Sequence, residues 1–165
     1  TLIPSHAFRN CSSLTSITLP EGVTSIRSYA FAGCSSLTSF TLPESVTSIG
    51  DDAFSGCSSL TSITIPASVT SIDNHAFNGC VGLKELIIID GQNALSLGYS
   101  ESSGRGGIID GFYLKSGLFY GLQLETLYIG RNLTHENAGS GDPYLHFWDC
   151  TKISVKKNCI RRFMS

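Results

Sequence analysis

Residues 30–49 read AFAGCSSLTSFTLPESVTSI, and residues 53–72 read AFSGCSSLTSITIPASVTSI. The second run is the first one displaced by 23 positions, and the same offset carries the pattern outward in both directions. Cys11, Cys34, Cys57 and Cys80 mark the step. Ile3, Ile26, Ile49 and Ile72 open the units, followed by Ala7-Phe8, Ala30-Phe31, Ala53-Phe54 and Ala76-Phe77, and then by Leu14, Leu37, Leu60 and Leu83. Ile17, Phe40, Ile63 and Leu86 come next, then Leu19, Leu42, Ile65 and Ile88, with Pro20, Pro43 and Pro66 closing the first three of these runs and Val23, Val46 and Val69 behind them. A period of 20 to 29 residues carrying L-x-x-[IFL]-x-[LI] predicts a leucine-rich repeat solenoid.

Burial explains why such a unit must come in an array. One unit has many apolar positions and no second layer to hide them, so it is stable only when neighbours stack on both sides. In Ser16-Ile17-Thr18-Leu19 the apolar residues alternate with hydroxyl residues, the pattern of a half-buried strand. Pro20 ends the ladder because it has no N–H to donate. The segment from Ile26 to Cys34 is too short for a long helix and predicts a compact turn or a single helical turn on the outer side. The expected architecture is therefore short parallel strands on the concave face, with turns or short helical turns on the convex side.

Residues 1–89 make four regular repeats, the first incomplete at its start. Residues 90–117 interrupt them with a glycine-rich insertion, and residues 118–165 hold two irregular repeats and the C-terminal end, all in one structural domain. Within the insertion, Leu95-Ser96-Leu97 reads as a short strand, and Ile108 to Leu114 as apolar arms around an Asp110-Gly111 turn. Gly104-Arg105-Gly106-Gly107 fits neither nucleotide-binding glycine pattern and reads as a loop.

The chain has 165 residues, net charge −2, 15% charged and 41% apolar residues. That balance gives no electrostatic bias toward nucleic acid. Its longest purely apolar run, Leu86 to Ile89, is far too short to span a bilayer. Thr1 opens in mid-repeat, so the chain reads as a fragment or processed product with any targeting signal or anchor outside it. The ladder cysteines sit where a small buried apolar side chain is required and are expected as reduced thiols. Their linear arrangement, without a C-x2-C pair, does not suit zinc. Cys150 follows the ladder, and Cys159 does not and is expected to be exposed.

Catalytic candidates are thin. His6 and His75 share a repeat position but lie three coils, roughly 15 Å, apart, and Tyr29 and Asp52 occupy that position between them. Asp51-Asp52 and Asp73 fall on turns, where acidic side chains make local hydrogen bonds. No Ser/His/Asp or Cys/His set assembles, so neither enzyme activity, metal nor cofactor is expected. Asn-x-Ser/Thr sequons stand at Asn10 and Asn132.

The surface carries the functional expectation. Outward strand positions hold Ser16 and Thr18, then Ser39 and Thr41, then Ser62 and Thr64, and change to Glu85 and Ile87 and to Thr126 and Tyr128. The candidate ligand-binding residues are Ser39, Thr41, Ser62, Thr64, Glu85, Ile87, Thr126 and Tyr128, with Tyr128 and Trp148 as aromatic anchors. Outward Ile87 and Tyr128 call for a cover, either the insertion folded beside the concave sheet or a partner.

The repeat A-F-x-G-C-S-S-L-T-S-[IF]-T-[LI]-P-x-x-V-T-S-I resembles the BspA-like leucine-rich repeats of bacterial and protozoan surface proteins. The match is close over residues 3–89, partial over 118–133 and weak around 144–155. This resemblance implies a secreted or outer-surface protein whose repeats adhere to host proteins, matrix components, other microbes or glycans, and it carries over no catalytic residue. The expected function is a non-enzymatic adhesion or recognition module, with a structural spacer of a larger surface protein as the alternative. The expected partner is a protein or glycan, with no nucleic acid, no membrane insertion and a monomeric chain.

Overall fold

The computed structural model describes residues 1–73, 75–93, 95–97, 122, 124–130, 133–135 and 153–155. The expected hairpin at 108–114, the loop at 104–107, Phe119, Asn132, His146, Trp148, Cys150 and Cys159 lie outside them. Twelve short strands are found among the described residues. In chain order they are β1 (Leu2–Ile3), β2 (Ser16–Thr18), β3 (Ser25–Ile26), β4 (Ser39–Thr41), β5 (Ser48–Ile49), β6 (Ser62–Ile65), β7 (Ser71–Ile72), β8 (Glu85–Ile88), β9 (Leu95–Leu97), β10 (Thr126–Ile129), β11 (Leu133–His135) and β12 (Ile153–Val155). All the pairings are parallel.

Each coil contributes to two walls. The longer strands form the expected face, and the odd-numbered strands form a second, continuous ladder in the order β1-β3-β5-β7-β9-β11. That second wall comes from the Val-Thr-Ser-Ile end of the repeat, which the sequence reading left without a strand. Its linkage to the first wall is a tight turn: the Val46 N–H donates to Pro43 O at 3.0 Å and the Val69 N–H to Pro66 O at 3.2 Å, which accounts for the P-x-x-V spacing. Threonine then locks adjacent coils. The N–H and Oγ1 of Thr47 both donate to Thr24 O, at 2.8 and 3.0 Å, and Thr70 repeats this on Thr47 O at 2.8 and 3.2 Å. Leu95–Leu97 does form a strand, and it stacks on β7 with Ser71 opposite Ser96. The repeating path therefore continues through Leu97.

The convex side is a run of turns, with no helix among the described residues. Alternate N–H groups take different routes. Those of Ala30, Ala32 and Cys34 each close a local turn, on Arg27, Tyr29 and Phe31 carbonyls at 3.2 Å. Those of Tyr29, Phe31 and Gly33 leave the coil and donate to Asp51, Ala53 and Ser55 carbonyls at 3.0, 2.8 and 2.7 Å. A helix would keep every N–H within its own segment, whereas this path gives half of them to the neighbouring coil. It requires left-handed backbone at two columns: Asn10, Gly33, Gly56 and Gly79 in one, and His6, Tyr29, Asp52 and His75 in the other, with φ between 52° and 75°. Glycine takes that conformation without penalty. The second column holds side chains that ordinarily avoid it, and the inter-coil hydrogen bonds keep them there.

The core runs along the stack. Phe8, Phe31, Phe54 and Phe77 form one column with successive ring centroids 5.0, 5.4 and 5.4 Å apart and planes within 12° of parallel. Phe40 meets Phe31 and Phe54 edge-on at 5.0 and 4.7 Å. Beside this column runs the thiol ladder. The Sγ of Cys34, Cys57 and Cys80 donates to the carbonyl of Phe8, Phe31 and Phe54 in the preceding coil, at 3.1, 3.2 and 3.1 Å. These four ladder cysteines are free, as expected, and Cys34, Cys57 and Cys80 are buried. Cys11 is exposed. Burial, with smaller contributions from its two ladder neighbours, pushes the Cys34 thiol up to about 11, and Cys57 is also raised, chiefly by its hydrogen bond with Cys80 and by burial. Cys34 and Cys57 are thus protonated and unreactive at neutral pH.

Candidate functional site: the concave strand face

The longer strands project alternate residues outward, and the registers bring the candidates together. Ser16 and Thr18 stand opposite Ser39 and Thr41. Ser62 and Thr64 stand opposite Glu85 and Ile87, which stand opposite Thr126 and Tyr128. The face is not one hydrogen-bonded sheet, as a uniform ladder would be. It divides into a two-stranded part, β2-β4, and a four-stranded part, β6-β8-β10-β12. The division falls beside Phe40, which stands where Ile17 and Ile63 stand in the flanking coils and sets its ring edge-on to both Phe31 and Phe54.

Six candidates, Ser62, Thr64, Glu85, Ile87, Thr126 and Tyr128, therefore occupy one contiguous patch of three adjacent strands. Ser39 and Thr41 belong to the other part. Ser39, Thr41, Ser62, Thr64 and Glu85 are exposed, and Ile87, Thr126 and Tyr128 are half-buried. The row of Tyr128 continues to Ser154 on β12. At the rim of the patch, Lys84 Nζ lies 3.6 Å from Glu125 Oε1, an exposed pair that contributes little to stability.

Two kinds of hydroxyl are now distinguishable. Those of Thr24, Thr38, Thr47 and Thr70 donate to carbonyls of the neighbouring coil and serve the stack. Those of Ser39, Thr41, Ser62 and Thr64 make no hydrogen bond to the protein among the described residues. Both kinds look alike in sequence, and only the strand register separates them.

Residues 1–99 match the BspA type leucine rich repeat region in six copies. The chain belongs to the BspA-type leucine-rich repeat family. Among solved structures, a leucine-rich repeat protein from Bacteroides ovatus is 32% identical over 80% of this chain and 30% of its own length, with a TM-score of 0.58. A T. pallidum leucine-rich repeat protein is 31% identical over 52% of this chain and 50% of its own, with a TM-score of 0.47. The chain thus spans less than a third of the B. ovatus protein. No curated protein matches it. Leucine-rich repeats of this family generally serve protein interaction or structural roles. Among the described residues, no helix is long and apolar enough to cross a membrane.

A second constellation escaped the sequence reading. Asp51, Asp52 and His75 each offer one ligand atom within 4.8 Å of the others. Asp51 Oδ1 lies 3.8 Å from His75 Nδ1. The signal was present in the 23-residue offset, which sets position 52 beside position 75. Spacing between histidines, and local turns at the aspartates, do not reveal this pairing of Asp52 with His75. His6 is instead stacked on Tyr29, with centroids 5.2 Å apart and planes at 10°.

Proposed function

We propose that the chain is a non-enzymatic recognition module of a secreted or surface protein, binding a host protein, a matrix component or a glycan on its concave face. The carrying observation is the row of exposed hydroxyls, without hydrogen-bond partners among the described residues, that runs into Glu85, Ile87 and Tyr128. Extended solenoid faces offer curved platforms for such contacts. Half-buried Tyr128 supplies an aromatic surface of the sort that dominates binding energy, and Glu85 supplies a charge beside it.

The test is a protein and glycan array probed with the whole chain, followed by titration of the captured ligand. Tyr128→Ala together with Glu85→Ala is expected to weaken capture by about 2 kcal/mol or more, and Ser39→Ala to leave it nearly unchanged. Capture that ignores the double substitution overturns the assignment of this patch.

The spacer reading rests on a specific observation too: the first three coils present only serine and threonine at their outward strand positions. It expects no ligand on any array. The individual residues at the fourth and fifth coils favour recognition.

A further inference from the structure

We propose that Asp51, Asp52 and His75 bind a divalent first-row transition metal ion, represented by Zn²⁺, which ties the convex turn of one coil to that of the next. The site is independent of the concave face. Asp51 and Asp52 follow β5, and His75 follows β7 one coil further on.

Geometry makes the first argument. One oxygen from each aspartate and one imidazole nitrogen lie within 4.8 Å of one another. The Asp51 Oδ1 to His75 Nδ1 separation of 3.8 Å is too long for a hydrogen bond. It suits two ligands on a shared ion with bonds of about 2.0–2.2 Å.

The second argument is an unmet need. Asp51 Oδ1 is closed off from solvent and accepts no hydrogen bond among the described residues. A carboxylate oxygen in that position loses water without gaining a hydrogen bond in return, and a cation would supply the missing partner.

The third argument is preorganisation. Asp52 and His75 have nearly the same left-handed backbone, φ 52° and 53°, so their side chains leave successive coils from equivalent points. Backbone strain of this kind concentrates at functional positions. Here it is also a feature of the repeat, and its consequence is that the two ligands are held in register. Tyr29, one coil earlier in the same column, stacks on His6, and the Arg9 guanidinium lies 5.3 Å from its ring centroid.

Imidazole with two carboxylates selects a borderline transition metal over calcium or magnesium, which require oxygen donors. Three protein ligands leave a coordination position for water. Because the ligands come from two coils, an ion that binds only the folded stack stabilises it in proportion to the logarithm of its concentration.

The experiment is isothermal titration of the full chain with Zn²⁺ and with Ca²⁺, paired with thermal melts. His75→Asn is the main variant, since asparagine tolerates left-handed backbone and should keep the fold; Asp51→Asn is its isosteric companion. Wild type is expected to bind Zn²⁺ and melt at a higher temperature with it, and Ca²⁺ at the same concentration to have no effect. Both variants are expected to lose the Zn²⁺-dependent shift. An unchanged Zn²⁺ shift in His75→Asn would place the metal at other histidines or cysteines and overturn the proposal. Absence of any Zn²⁺ effect on wild type would overturn it equally, leaving a simple aspartate–histidine contact.

Discussion

Truncation of Phe54 measures how much of the fold resides in contacts between coils. Phe54 is fully buried, stacks on Phe31 and Phe77 at 5.4 Å each, and meets Phe40 edge-on at 4.7 Å. Phe54→Leu keeps most of the apolar volume and removes three ring pairs, each contributing about 0.5–1.5 kcal/mol beyond burial, so a loss of about 2–3 kcal/mol is expected. Phe54→Ala adds a cavity and is expected to cost about 4–5 kcal/mol, the upper end for a buried phenylalanine. Phe8 occupies the same repeat position in the end coil, where it is half-buried and has a single ring partner, Phe31 at 5.0 Å. Phe8→Ala is expected to cost about 2 kcal/mol, because an end position loses one inter-coil interface where an interior position loses two. Urea unfolding followed by far-UV circular dichroism gives all three values, with slopes compared to confirm that the same surface is exposed. Equal losses at Phe8 and Phe54, or a Phe54→Leu change within about 0.5 kcal/mol, the range of ordinary surface substitutions, would refute the reasoning.

Further outcomes follow from the turns and the thiol ladder. Alkylation under native conditions, mapped by mass spectrometry, should label Cys11 and spare Cys34, Cys57 and Cys80; Cys57→Ala should lower stability by about 1–2 kcal/mol, since it loses the Sγ bond to Phe31 O as well as volume. Alkaline pH should destabilise the fold: Cys34 titrates near 11 when folded and near 8.5 when unfolded, so the folded state holds the extra proton between these values, and the urea midpoint falls as pH rises through that window. Gly56→Ala should cost about 1 kcal/mol from its left-handed backbone alone, since the nearest atoms to a new Cβ are 3.7 Å away. Gly56→Asn should cost less in the same urea assay, because Asn10 already holds the equivalent position at φ 61°.

The solenoid was legible because burial imposes one period on every apolar column, from the phenylalanines to the cysteines. Strand β9 was legible for the same reason, as an alternating Leu-Ser-Leu. The second wall was not, since two-residue strands such as Ser48–Ile49 are too short to show a period of two. The left-handed column was hidden because His6, Tyr29, Asp52 and His75 share no side-chain chemistry; hydrogen bonds donated to the next coil, as by the His6 and Tyr29 N–H groups, and not local preference, set their backbone. Phe40 looked like one more apolar residue at a strand position. Its ring, larger than Ile17 or Ile63, marks where the concave face divides. Asp51, Asp52 and His75 were each visible, but their meeting depends on adjacency across coils, which only the stacking register supplies.

Two deletions test the stacking claim against each other. Removing residues 35–57 takes out one whole period and rejoins Cys34 to Ser58, so that Phe31 stacks directly on Phe77 and every column closes in phase. Removing residues 35–46 takes out about half as much chain but throws the coils out of phase. Thermal and urea unfolding of both proteins is the decisive measurement. The larger deletion should keep a cooperative transition and a β-type spectrum, and the smaller one should lose both. A protein that tolerates the half-coil deletion better than the full-coil deletion would contradict the account.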